Sequence, residues 1–355
     1  METVTDFSQL KIYSPGYQAI DWGFDYPQVV DLDTALAQPT KIAVLPVYFD
    51  RPTEFSYKPE FENLQLSQFD LVLFTDIEFR SQTELINWIG TTDANNWLLS
   101  VAGLHATETL TDHTVYRPWW SFTFLQWNPA RDDFPLSRPY LFDCLCGTRR
   151  EHRDYVMLSL EKSGLLDQSI ATYRDIFIGG NITETTARVQ QRFPDQKIVW
   201  PYVSPNLDPA WEVRQHLDNS ISSIEPWEIY NRTYYSILVE TLGSGDCYLM
   251  AEKIGKCLHA RRLFVHFGVA HWLKKLRSFG FKTFDSILDE SYDNIENDVD
   301  RWQAAFEQVK WLSQQDHQQI LLQARPILDH NHHRLYEFRQ EKYAEMRRMI
   351  EPHLR

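Results

Sequence analysis

A chain of 355 residues exceeds what one compact core usually encloses, so two domains or one large layered domain are expected. With 43% apolar and 24% charged residues, the composition excludes disordered and collagen-like classes, and a net charge of −14 sets the surface as a whole against DNA, RNA and anionic membranes. The 12 Trp, 17 Tyr and 21 Phe supply large cores or stacking platforms for sugar rings and bases.

Met1 to Leu10 is polar and acidic, without a basic or apolar leader pattern, and no stretch approaches the roughly 20 apolar residues of a spanning helix. The expectation is a cytoplasmic chain with no membrane span. Four cysteines in so long a chain are not a disulfide framework, and Cys144 and Cys146 are expected on one face of a strand, reduced and unbridged.

Lys41 to Phe49 and Asp70 to Asp76 read as buried strands, and Ser81-Gln-Thr-Glu84 as a capping box opening a helix through Ile86 and Trp88. Trp97 to Ala102 is a third strand, ended by Gly103. Short apolar strands separated by helices predict parallel βαβ units. Thr111 to Arg138, crowded with Pro, Trp and Asp, is expected to be a long ordered loop leading to a domain boundary.

The pattern then restarts. Tyr140 to Cys146 is a strand, Arg149 to Lys162 a helix stopped by Gly164, and Thr233 to Glu240 a strand leading to the loop Gly243-Ser-Gly-Asp246. A helix from about Ala251 to His259, a strand from Leu263 to Phe267 and an amphipathic helix from Val269 to Phe279 follow. From Asn294 the chain reads as helical, with a break near Pro326.

The chemical signal is positive charge at helix starts. The helix after Gly147 opens Thr148-Arg-Arg-Glu-His-Arg153, although a helix N-terminus already carries roughly half a positive charge. Arg149 and Arg153, four apart, share a face and form an anion site, most often for phosphate; the alternative is that Glu151 and Asp154 neutralise them on a solvated surface. A second instance is the loop Gly243-Ser-Gly-Asp-Cys-Tyr-Leu-Met250 leading into Ala251-Glu-Lys253, where the alternative is an ordinary exposed Glu–Lys pair.

The segment Cys247-Tyr-Leu-Met-Ala-Glu-Lys-Ile-Gly-Lys-Cys-Leu-His-Ala-Arg-Arg-Leu-Phe-Val-His-Phe-Gly268 resembles the donor-binding segment of the α1,3-fucosyltransferase-like glycosyltransferases. That segment runs from an aromatic residue through Thr-Glu-Lys, an apolar helix, a basic or small turn and a hydrophobic strand to Gly. Gly147 to Arg153 matches where that family places a helix-borne Arg on the donor pyrophosphate. Leu273 to Phe284, with Asp289-Glu-Ser-Tyr-Asp293, resembles glycosyltransferase-like proteins of bacteriophages and bacteria. The resemblance covers about 140 to 305, and the N-terminal half agrees only in general architecture. Ala251 stands where the family has Thr, and His266 and Phe267 replace smaller or apolar residues.

The resemblance implies an α/β fold of two Rossmann-like domains (GT-B-like) with C-terminal helices. Residues 1–138 form the acceptor side, 139–325 bind a nucleotide sugar, and 326–355 form a helix packing back on the first domain. The implied activity is a metal-independent, inverting glycosyltransferase in the cytoplasm of a bacterial or phage-infected cell, with a nucleotide-sugar donor and no further cofactor. Its acceptor is a carbohydrate or another hydroxyl-bearing molecule. Carried over, Arg153 and Lys253 hold the diphosphate with Arg149 beside them, Glu252 binds donor sugar or ribose, and Tyr248 packs on the donor. Inverting transfer needs a general base, expected at first-domain strand ends: Glu108 and His105 first, then Asp76 with Glu78 beside it. Trp119, Trp120 and Trp127 stack an acceptor sugar or simply pack.

Two other functions stay open. One is the same fold as a non-catalytic structural or binding component of a phage or cell-surface assembly. The other is a phage DNA-base glycosyltransferase, which needs Arg117, Arg131, Arg138, Arg149 and Arg150 to gather into a basic groove. The Asp31-x-Asp33 and Asp298-x-Asp300 pairs and the cluster His330, His332 and His333 are too short or loosely spaced to be read as metal sites.

Overall fold

The computed structural model describes residues 9–14, 28–51, 54–56, 64–76, 81–118, 122, 125, 128–132, 134–147, 149–173, 187–196, 202–205, 207 and 225–354. It is a mixed α/β chain that divides into two compact units. The first comprises Met1–Phe122, Cys247–Met250 and Tyr336–Arg355; the second comprises Thr123–Asp246 and Ala251–Leu335. The first crossing comes at Phe122, ahead of the boundary expected near Arg138.

The first unit is built on a sheet of β1 (Lys11–Tyr13), β2 (Gln28–Val30), β3 (Ile42–Arg51), β4 (Glu54–Ser56), β5 (Leu71–Asp76), β6 (Trp97–Val101) and β8 (Thr114–Tyr116), with β7 (Gly103–His105) outside it. The order β2-β1-β3-β5-β6-β8 is parallel throughout, and β4 pairs antiparallel with β3. β5 is buried along its whole length, as its apolar run predicts. Helix α1 (Leu32–Leu36) precedes β3, and α2 (Gln82–Ile89) joins β5 to β6 with Leu85 and Ile89 buried and Trp88 set edge-on to Phe74. β8 corrects the expected long loop: three residues between His113 and Arg117 are too few to show a period, but Leu99 to Val101 supply the ladder that holds them.

The second unit has a sheet of β9 (Tyr140–Cys146), β10 (Ser169–Tyr173), β11 (Tyr202–Val203), β12 (Thr233–Val239) and β14 (Phe264–Phe267), in the order β11-β10-β9-β12-β14. All but β11 run parallel. Helix α3 (Glu151–Lys162) carries the chain from β9 to β10 and is buried from His152 to Leu160. Helices α4 (Ala187–Arg192) and α5 (Trp227–Tyr230) precede β12. Strand β13 (Cys247–Leu249) then pairs antiparallel with β7 in the first unit, and α6 (Glu252–His259) returns the chain to β14. Connections from β9 and from β12 therefore leave in opposite directions along the sheet.

A buried cationic clamp braces the amino end of this sheet. Arg262 donates to Asp143 at 2.7 Å and to the carbonyls of Tyr230 and Thr233, and Arg138 donates to the same two carbonyls. Burial and the neighbouring Arg262 push the Arg138 guanidinium down to about 9.

Helix α7 (Trp272–Ser278) is shorter than expected because His271 at its start is left-handed, with φ 59°. Asp293 caps it, accepting from the N–H groups of Leu273 and Lys274. The break expected at Pro326 lies instead between α8 (Asp298–Leu312) and α9 (His317–Ile350), and Pro326 sits inside α9. Its ring faces solvent, so the Leu322 carbonyl it leaves without a helical donor lies on the exposed side, where water can satisfy it. The end of α9 puts Met346 and Ile350 into the first unit's core with Ile12, Val44, Leu71 and Leu98. Among the described residues no helix is long and apolar enough to cross a membrane.

Candidate anion-binding site

The second unit gathers its charge where the connections diverge. β9 and β12 pair in parallel, with Asp143 opposite Ser236, so their carboxyl ends lie side by side; open α/β sheets place ligands in this crevice. Two helices begin there. α3 starts from Arg150, an extended N-cap with φ −150° and ψ 156°, and α6 starts from Ala251 with φ −78° and ψ 178°. Neither N-cap bonds its helix through a side chain. Ala251 thus stands at a capping position, where a hydroxyl would have bonded the first turn.

The expected cations separate into three roles. Arg149 lies before the helix rather than on its face and pairs with buried Asp154 at 3.0 Å, so it does not share a face with Arg153. Asp154 also accepts from the Tyr173 hydroxyl. Arg153 is only 3% exposed, and its Nη2 donates to the Glu240 carbonyl at 3.2 Å. Glu151, expected to neutralise these arginines, pairs instead with Arg188 at 2.6 Å. That leaves Arg150, whose guanidinium makes no ion pair or hydrogen bond among the described residues. Burial and the like charge of Arg153 push it down to about 10.

On α6, Lys253 pairs with Glu252 at 2.9 Å, both partly exposed. Burial alone would raise Glu252, but Lys253 and Lys256 hold it down at about 2. The pair is not a solvated surface bridge, because Lys253 also acts on groups beneath it. Glu240, directly after β12, is 2% exposed; burial pushes its carboxyl up to about 7, against the pull of Lys253 and Arg153. Its Oε2 accepts from the Thr241 N–H at 3.2 Å, and its Oε1 has no partner among the described residues. At the end of β9, the Cys144 thiol bonds Cys146 across 3.8 Å; that bond, with Arg153 and Lys253, lowers the Cys146 thiol despite its burial. All four cysteines are buried and outside any disulfide. Arg153 and Lys253, from two helices, therefore bear on the same buried groups.

The loop after β12 is fixed tightly. His152 Nε2 donates to the Glu240 carbonyl at 2.8 Å, and burial with Arg153 keeps this ring well below the usual imidazole range. A Cβ on Gly243 would fall 2.3 Å from the His152 ring, so only glycine fits. The Gly243 carbonyl accepts from Arg301 and Trp302 at 3.2 and 3.3 Å.

The other expected site residues lie in the first unit. Glu108 is engaged as the cap of α2, accepting from the Ser81 hydroxyl and from the N–H groups of Gln82 and Thr83 at 2.8 and 3.2 Å. Burial would raise it, but these bonds and nearby His105 bring it below the usual carboxylate value, which fits a structural cap better than a base. His105 closes β7, opposite Cys247. Asp76 ends β5 and is fully buried. Tyr248 is the middle residue of β13, opposite Leu104, and so belongs to the first unit while Glu252 and Lys253 belong to the second. Glu78, Trp119, Trp120, Trp127 and Thr148 lie outside the described residues.

Three arginines of the expected basic groove are engaged elsewhere. Arg117 is fully buried and donates to Ser100, Arg138 is committed to backbone carbonyls, and Arg149 is paired with Asp154. Of the acidic pairs, Asp31 caps α1 through Thr34, while Asp298 and Asp300 pair with Arg301 and Arg192. His330 and His332 bond the carbonyls of Gly280 and His259.

Glu240 is the site residue that sequence reasoning passed over, and Arg150 was named there only for a basic groove. Arg150 left a signal: adjacent arginines facing acids with other partners nearby. Glu240 left only its place between a strand and a glycine loop. No family model, curated protein or solved structure matches this chain.

Proposed function

We propose that the second unit binds the diphosphate of a nucleotide sugar and that the protein is a glycosyltransferase of GT-B form, with two Rossmann-like domains, moving the sugar to an acceptor hydroxyl. One observation supports the reading: Arg150, without a counter-ion among the described residues, lies with Arg153 and Lys253 at two helix starts that lack side-chain caps, at the divergence of a parallel sheet. Phosphate oxygens satisfy such a field, and charge building on a departing diphosphate is stabilised by donors already in place. Glu252, held ionised by Lys253 and Lys256, suits acceptance of hydrogen bonds from sugar or ribose hydroxyls.

A thermal-shift panel with GDP, UDP, ADP and CMP tests the site. A diphosphate is expected to stabilise the wild-type protein, and Arg150→Ala or Lys253→Ala is expected to diminish the shift. No response to any nucleotide, or equal responses in the variants, would sink it.

The engagement of Glu108 as a helix cap favours a second reading, a protein that binds the nucleotide sugar without transferring it. Release of nucleoside diphosphate from a nucleotide sugar by the purified chain, lost in His105→Ala, decides for the enzyme.

A further inference from the structure

Among the acids around the site, Asp154 pairs with Arg149 and Glu252 with Lys253, whereas Glu240 forms no ion pair among the described residues. It is nonetheless bracketed by charge. From α3, Arg153 acts on its carboxyl and, with the neutral His152 ring, donates to its main-chain carbonyl; from α6, Lys253 and Glu252 act on the carboxyl. Its own following residue, Thr241, supplies one N–H to Oε2. The Cys146 thiol, below the same two cations, shares their field. Oε1 is buried and has no donor among the described residues.

Such a carboxyl is balanced between two states. Burial favours the neutral acid, and Arg153 and Lys253 favour the anion. A phosphate group arriving at the helix starts takes over those cations and adds like charge, and both changes favour protonation. We propose that binding of a phosphorylated ligand at this site takes up one proton from solvent onto Glu240, so that the ligand is held best when that carboxyl is neutral. The proton goes to Oε1, the oxygen without a partner among the described residues, and turns an acceptor into an O–H donor. Solvent supplies the proton, no covalent bond to the ligand changes, and the net positive charge of the site rises by one as the anion enters. The inference rests on the phosphate reading above and adds a group that makes the site sensitive to pH.

Titration calorimetry of the full chain with inorganic pyrophosphate at pH 8, in two buffers of different ionisation enthalpy, reads the proton directly. Wild type is expected to take up close to one proton more than Glu240→Gln, in which a neutral amide replaces the acid. The affinity ratio of wild type to Glu240→Gln is expected to fall above pH 7, by up to about tenfold for each pH unit. Equal proton uptake in the two proteins, or a flat ratio, overturns the proposal. Should the variant fail to fold, infrared difference spectra of wild type decide. A protonated-carboxyl stretch appearing with pyrophosphate supports the proposal, and its absence ends it. Pyrophosphate that binds without proton uptake sinks this inference alone, whereas pyrophosphate that binds at no pH sinks the phosphate site beneath it.

Discussion

In the first unit, the helix after β5 begins against a carboxylate: Glu108 takes the Ser81 hydroxyl and two backbone N–H groups, and the positive end of α2 is neutralised from within the chain. In the second unit, α3 and α6 begin at Arg150 and Ala251, neither of which caps through its side chain, and cations stand where the other unit has an acid. Both units set helices at the carboxyl ends of parallel strands, yet they have opposite electrostatic character there. A helix start closed by its own chain contributes stability. One left with surplus positive charge contributes less stability and leaves room for an anion.

The comparison is broken most severely by confusing bracing cations with ligand-facing ones. Arg262→Met removes the partner of buried Asp143 and is expected to cost about 3–5 kcal/mol, read as a fall in the denaturant midpoint. Retained stability would mean that the clamp is not what holds β9 to β12. Gly243→Ala drives a Cβ into the His152 ring and is expected to cost about 1–3 kcal/mol and to weaken diphosphate binding, since the loop and α3 shift together. Unchanged melting and binding would show that His152 yields freely.

Glu108→Ala sharpens the contrast from the other side. Loss of the α2 cap is expected to cost about 0.5–2 kcal/mol, without effect on nucleotide binding. The sign in pH follows from the lowered folded value. The Glu108 contribution is full above the ordinary carboxylate range and is lost as pH falls through the folded value. Wild type and Glu108→Gln should therefore converge in stability in acid, and a gap that widens there would contradict the cap. The smallest structural effect is expected for Arg150→Ala, within about 0.5 kcal/mol in stability because no side-chain partner among the described residues is abandoned. Its diphosphate affinity should fall roughly tenfold or more, the loss of a charge-assisted bond. A large loss of stability with intact binding would assign Arg150 to the fold.

Strands that are apolar throughout were legible in the sequence: Leu71–Asp76, Tyr140–Cys146 and Phe264–Phe267 fall within a residue or two of where their runs predict. So was the start of α6. Short strands such as Thr114–Tyr116 and Cys247–Leu249 were not, because three residues acquire their conformation from a partner strand rather than from a period of their own. Helix α9 ran through a proline that local propensity would treat as a break, since its cost depends on which face meets water. Of the site, the basic helix start could be read, but which arginine lacks a partner depends on where Asp154 and Glu151 point. The role of Glu108 depended on contacts across 25 or more residues, which no local motif encodes.

The first unit's core includes Met346, Ile350 and Leu354, and its small antiparallel pair needs Cys247–Leu249. During synthesis the strands near Ile42 and Leu71 emerge early, but they wait with part of their apolar face uncovered until the ribosome has passed residue 354. The second unit ends at Leu335. The domain begun first is thus completed last, and the interval between is when nascent chains of this protein are most exposed to aggregation and to chaperones.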